Sequence, residues 1–243
     1  MRSRDIDELL SAKACDGKVL DIGGGLQAVN RAEYVIDFLP YEQRIEKRKG
    51  VSSDRKYTVD TWLQMDVCER KPWPFPDKSF DFAVCSHILE DVRDPVWVCS
   101  EMIRVARAGY IETPTRIVEQ SLGIEHPLYA GYYHHRWLVS VHEGRLSFRH
   151  KPHSLHALKD AIVTKVGAGE LINSKYESLE FKWDLSFEFG EIIEFDEVRV
   201  NHELCTFAVE ARKIPDLLVP RDKPFIWKLK RFIYYQRLKR RKQ

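Results

Sequence analysis

At 243 residues, with 44% apolar and 12% aromatic side chains, the chain has ample material for a packed core, which excludes a disordered or fibrous protein. No window approaches the uninterrupted apolar run that a membrane span needs, and the first ten residues, MRSRDIDELL, lack the apolar region of a signal peptide, so a soluble cytoplasmic protein is expected. The net charge of +2 conceals an asymmetry: residues 221–243 hold ten Lys or Arg against Asp222 alone, a local +9, which leaves −7 on the rest.

Residues 5–15 read as a short leading helix, with Ile6, Leu9, Leu10 and Ala14 at helical spacing. Lys18 to Ile22 then reads as a buried strand that runs into Gly23, Gly24 and Gly25, a turn that lets a ligand approach the backbone closely. Asp21 stands at the mouth of that turn, and an ionised carboxylate resists burial without a partner, so it is a candidate wall of a binding site. Leu26 to Glu33 leaves room for about two helical turns before a second strand, Tyr34 to Ile36, which ends in Asp37. A charged surface helix and loop over 41–56 lead to a third strand, Thr61 to Met65, which ends in Asp66. Three successive strands closing on Asp point to one crevice, because ligands of open parallel sheets sit beyond the carboxyl ends of the strands.

The stretch KPWPFPDKSF (71–80) is too rich in proline for a helix or a central strand and reads as a rigid loop. A fourth strand, Phe80 to Cys85, delivers Ser86 and His87. Asp94-Pro95 starts a helix, with Val98, Met102, Val105 and Ala106 on one face and Gly109 as its stop. Tyr110 to Glu112 is a fifth strand. Alternating strands and helices to this point predict a parallel sheet.

Beyond Pro114 the pattern changes. A hairpin is predicted around Glu143-Gly144, flanked by Leu138–Val141 and Leu146–Phe148, followed by an amphipathic stretch with Leu155, Leu158, Ile162 and Val163. Strict alternation from Phe181 to Phe189 predicts a half-exposed antiparallel strand, and Ile192–Val200 and Leu204–Ala211 read as further late strands. The domain reading is a cofactor-binding half over 1–114, a substrate-cap insertion over 115–175, late antiparallel strands over 176–213, and a basic amphipathic tail over 214–243.

Gly23, Gly25 and Ala28 satisfy a dinucleotide pattern, with Asp37 placed for a ribose. Against a pyrophosphate stand the repulsion from Asp21, the short segment after the glycines and the unexplained Asp66. S-adenosyl-L-methionine accounts for all three: it has no phosphate, its sulfonium and ammonium suit a carboxylate, Asp37 suits its ribose hydroxyls, and Asp66 suits its adenine amine.

The stretches VLDIGGG (19–25), Asp37, MDV (65–67), PFPDKSFDFAVCSHILEDVRDP (74–95) and IRVARAGYIETP (103–114) together resemble the class I S-adenosylmethionine-dependent methyltransferases, in the group with a type 11 methyltransferase domain. The resemblance covers Lys18 to Pro114 and implies an α/β fold with a Rossmann-like, mostly parallel sheet. It implies that Asp21 and Gly23, Gly24 and Gly25 line the methionine end, Asp37 the ribose, Asp66 and Val67 the adenine, and Ser86 and His87 the tip of the fourth strand. The short segment after the glycines departs from the full helix usual in that family.

Seven of the nine histidines fall between 126 and 156, among Glu125, Tyr132, Tyr133 and Trp137. Methyl transfer to a hydroxyl needs a base, and the candidates are His134 or His135 with Glu112 at the fifth strand tip. The plain alternative is that these rings only pack a loop-rich subdomain. Pro152 breaks the common face of His150, His153 and His156, so no metal site is expected. The five cysteines form no CxxC pair and fit a reducing compartment without zinc.

The expected activity is methyl transfer to a small-molecule or glycan acceptor, with a hydroxyl, such as that of a sugar, as the target. The rivals are a non-catalytic binding protein that keeps the fold and an NAD-dependent oxidoreductase. The tail pairs Phe225, Trp227, Phe232 and Tyr234 with basic residues, a composition suited to an anionic membrane surface; a packed terminal helix is the alternative, and nucleic acid is disfavoured.

Overall fold

The computed structural model describes Ile6 and residues 17–25, 28–45, 55–167 and 169–221. Apart from Ile6, the expected leading helix lies outside these residues, as does the basic tail beyond Arg221. Of the charged stretch over 41–56, the first five residues form α1 (Tyr41–Ile45) and 46–54 lie outside. The chain divides into two compact units: Met1–Thr113 with Arg136–His150 and Leu179–Ile192, and Pro114–His135 with Lys151–Ser178 and Ile193–Gln243. The predicted hairpin therefore belongs to the first unit, apart from the rest of 115–175.

In the first unit the apolar runs form β1 (Val19–Ile22), β2 (Tyr34–Asp37), β3 (Trp62–Gln64), β4 (Phe80–Ser86) and β5 (Ala106–Pro114). With β9 (Ser178–Asp184) they make a six-stranded sheet in the order β3-β2-β1-β4-β5-β9. Pairing from β3 through β5 is parallel throughout. The strand order reverses at β1, so the carboxyl ends of β1 and β4 flank a topological switch point, where ligands of such sheets bind. Residues 28–33 contain no helix, so the two turns expected before β2 are absent from them.

Both sheet faces are covered, and the two-residue strand period explains how. Leu20, Ile22, Ile36, Ala83, Cys85 and Ile111 enter one apolar cluster. Their neighbours Val19, Val35, Phe82, Val84 and Tyr110 enter the other. Helix α2 (Pro95–Val105) packs Val98, Cys99, Met102 and Val105 into the first. Its start is as expected: Asp94 accepts the Trp97 amide at 3.0 Å and Pro95 opens the helix.

Its end is not. The helix stops at Val105, and Gly109 lies inside β5. A Cβ there would sit 2.5 Å from the Ala83 carbonyl oxygen and 2.6 Å from Trp183 Nε1, so this glycine serves close approach rather than capping.

The hairpin forms as β6 (Trp137–His142) and β7 (Arg145–His150), with Glu143 and Gly144 both at positive φ, the geometry of a two-residue primed turn. The single strand expected over 181–189 is corrected. Leu185, at φ 60°, breaks it into β9 and β10 (Glu188–Ile192), and β10 pairs parallel to β7 in a separate three-stranded sheet.

The second unit carries the largest correction. Residues read as late strands form α4 (Glu197–Ala211), capped by Asp196, whose carboxylate accepts the Val198 and Arg199 amides. Leu204, Ala208 and Ala211 recur at helical spacing on its buried face; Ala208 and Ala211 pack with Ile117 of α3 (Arg116–Glu119) and with Ile172 and Leu217. The expected amphipathic stretch is two single 3₁₀ turns, His153–His156 and Lys159–Ala161. A short antiparallel pair, β8 (Glu170–Ile172) with β11 (Leu218–Pro220), completes the unit. No helix among the described residues is long and apolar enough to cross a membrane.

Candidate active site

The tips of β1, β2 and β4 and the loop after β3 converge on a cavity of about 460 Å³ in the first unit. Of the residues expected there, Gly23, Asp37, Asp66 and Val67 line it. Gly23 is at φ 70°, and a Cβ would lie 2.1 Å from the Ile88 side chain, so only glycine leaves this wall in place.

Asp37, the last residue of β2, is 5% exposed. Its Oδ2 accepts the Gly25 amide at 2.6 Å and its Oδ1 the Leu39 amide at 2.6 Å. These two amides fix the orientation of the carboxylate. The same device holds Asp66, whose Oδ1 accepts the Cys68 amide at 2.9 Å. Its Oδ2 pairs with Arg93 Nη1 at 2.5 Å. Burial pushes the Asp66 carboxyl up, but the Arg93 hydrogen bond and the Cys68 amide outweigh it and hold the carboxyl below its ordinary value. Cys68, on the same wall, is pushed up by burial and stays a neutral thiol.

Asp21, Gly24, Gly25, Ser86 and His87 are not among the lining residues. Asp21 is 3% exposed and accepts the Val29 amide at 2.7 Å, closing the glycine turn from beneath. Ser86 donates to Glu112 Oε2 at 2.8 Å. His87, at φ 55°, places Nδ1 3.0 Å from Glu90 Oε1 and Nε2 3.4 Å from Glu112 Oε1. Neither of these two contacts has hydrogen-bond directionality; they bring the ring beside two buried carboxylates. Glu112 is thus brought together with Ser86 and His87 at the tips of β4 and β5.

His134 and His135 belong to the second unit. His135 is buried, with Nδ1 2.8 Å from Glu119 Oε1. Lys151 Nζ donates to the other oxygen of Glu119 at 2.6 Å and to the Ala130 and Tyr132 carbonyls at 2.9 Å. His134 is exposed, 3.9 Å from Glu125. His156 accepts the Ala130 amide at 3.2 Å; burial, with Lys151 and His153 adding repulsion, lowers its pKa.

Sequence reasoning missed the two arginines of the cavity wall, Arg93 and Arg136, and Asp91 beside them. Arg93 and Asp91 fall inside the SHILEDVRDP stretch and were legible as its polar residues. Arg136 reaches the wall from the residue just before β6 of a hairpin distant in sequence, and no local pattern marks it.

Residues 20–111 match the family model described as a methyltransferase domain. Solved structures that match include an S-adenosylmethionine-dependent methyltransferase from Mesorhizobium loti, 17% identical with a TM-score of 0.33, the match covering 60% of this chain and 64% of that one. Another is a SAM-dependent methyltransferase from Thermotoga maritima, 21% identical with a TM-score of 0.34, over 48% of this chain and 54% of that one. A third is the YcgJ protein from Bacillus subtilis, 20% identical with a TM-score of 0.32, over 46% and 51%. The chain therefore spans about half to two thirds of the length of these structures. No curated protein matches the sequence.

Proposed function

We propose, from the match of residues 20–111 to a methyltransferase domain, that this protein transfers a methyl group from S-adenosyl-L-methionine to a hydroxyl of a small-molecule or glycan acceptor. The observation that carries the reading is the convergence of Gly23, Asp37, Asp66 and Val67 on one cavity at the switch point of a parallel sheet. The donor set fits a nucleoside without phosphates. The Asp37 and Asp66 carboxylates line the cavity, and a pyrophosphate beside them would meet repulsion.

Asp37 would hold the ribose hydroxyls and Asp66 the adenine amine, with Gly23 allowing close backbone approach. When bound, the cofactor supplies a methyl group activated by a sulfonium. The chain's own part is to orient the acceptor, exclude water and take a proton. For the proton the candidate is His134, an exposed ring 3.9 Å from Glu125. His135 is engaged by Glu119, and Glu112 holds Ser86 and His87 at the strand tips; both are read as positioning residues.

We also propose a reducing, cytoplasmic setting, with the basic tail touching an anionic membrane surface. Co-sedimentation with anionic vesicles, with and without residues 222–243, tests the tail: equal partitioning removes it from the reading.

Isothermal titration calorimetry with S-adenosylhomocysteine and with NAD tests the cofactor. The first should bind and the second should not, and the reverse pattern would replace the proposed activity with hydride transfer. Tritiated methyl transfer into small-molecule and glycan fractions of a cell extract then tests the acceptor class. His134→Ala should lower that transfer without altering S-adenosylhomocysteine affinity.

A further inference from the structure

The cavity wall carries two guanidinium groups with different obligations. Arg93 is committed to Asp66 at 2.5 Å. Arg136 is exposed, and among the described residues no side chain pairs with its guanidinium. Its backbone is held by the turn after β4. The Arg136 amide donates to the Glu90 carbonyl at 2.7 Å, the Trp137 amide donates to the same oxygen at 3.2 Å, and the Trp137 indole Nε1 donates to the Val92 carbonyl at 2.8 Å. Trp137 is itself buried in the core of the first unit, so the hairpin pins the arginine to the turn that walls the cavity.

A cation held at fixed backbone position beside a cavity, with its fork of donors uncommitted, is pre-organised for a planar anion. The other charged residues of the wall are Asp37, Asp91 and the Asp66–Arg93 pair. An anion entering this cavity therefore has one place where charge complementarity favours it.

We propose that Arg136 anchors a carboxylate-like anionic group of a ligand in this cavity. The inference rests on the methyltransferase reading, under which two ligands bring such a group. One is the amino-acid end of the cofactor; the other is an acidic acceptor. The chemistry recognised is the same, and the source is set by where the anion lies when both ligands are bound.

The test compares S-adenosylhomocysteine with 5′-methylthioadenosine, which keeps the nucleoside and sulfur but lacks the amino-acid end. Calorimetry is run on the full chain and on Arg136→Ala, with Arg136→Lys as the conservative variant. If Arg136 holds the cofactor's carboxylate, the preference for S-adenosylhomocysteine over 5′-methylthioadenosine falls about ten- to a hundred-fold in Arg136→Ala and partly returns in Arg136→Lys. If it holds the acceptor's anion, that preference is unchanged. Acetate then shifts the Arg136 side-chain NMR signals of the protein saturated with S-adenosylhomocysteine, and acetate binding is lost in Arg136→Ala.

An unchanged preference together with no acetate binding overturns the proposal. Failure of the wild-type chain to bind either nucleoside overturns the cofactor reading itself, a result separate from any behaviour of Arg136. Because the side chain is exposed, Arg136→Ala is expected to fold, and an unaltered melting temperature checks it.

Discussion

Asp37 in the first unit and Glu119 in the second are both buried carboxylates, 5% and 1% exposed, and they are satisfied in opposite ways. Asp37 is held by two backbone amides that orient it at the edge of a cavity. Glu119 is met by two side-chain nitrogens, the Lys151 ammonium at 2.6 Å and the His135 ring Nδ1 at 2.8 Å, in the interior. Amides fix the orientation of a carboxylate without cancelling its charge. A lysine ammonium at contact distance cancels the charge, and the group becomes part of the scaffold. Asp66 is intermediate, with one amide and one exposed arginine.

The contrast is broken most severely at Lys151. Lys151→Met leaves Glu119 without its ammonium partner in the interior, and unfolding in urea should show a loss of about 3–5 kcal/mol. Pairing it with Glu119→Gln should recover much of that loss, since the uncompensated charge is gone. A single-variant cost below about 1 kcal/mol would mean Glu119 is not the scaffold element described.

Asp37→Asn should do the converse. One side-chain oxygen still accepts an amide, so the stability loss should stay near 1 kcal/mol. S-adenosylhomocysteine affinity by calorimetry should fall at least about tenfold. Equal affinity in the variant would detach Asp37 from the ribose.

The smallest effect is at Asp66. Its folded pKa lies below the ordinary value, so its ionised form contributes stability above the unfolded-state pKa of about 4, and that contribution is lost as pH falls through the folded value. Removing the guanidinium with Arg93→Ala should move the Asp66 titration upward, followed by side-chain carboxyl NMR. An unmoved titration would leave the Cys68 amide as the dominant influence.

The first unit was legible because its signals are local. Asp37 and the loop Asp66 follow strands read from short apolar runs, the Asp94-Pro95 helix start needs only its own residues, and Glu143-Gly144 encodes its turn by conformation alone. The misreadings share a cause. Gly109 was taken as a helix stop, yet its absent side chain answers to Ala83 and Trp183, neither of them a near neighbour in sequence. Residues 197–211 offered both periods, and the burial of Ala208 and Ala211 against Ile117 and Leu217 selected the helix.

By itself the sequence determined the parallel strand order's raw material, the acidic strand tips, the glycine turn and the chemistry they favour, because each depends on residues within a few positions of one another. Tertiary structure alone decided that Asp21 accepts the Val29 amide, that Glu112 meets Ser86 and His87, that Glu119 is paired with Lys151, and that Arg136 stands at the cavity wall. Those outcomes turn on which distant charges share a low-dielectric interior, and pairing of that kind leaves no periodic trace along the chain.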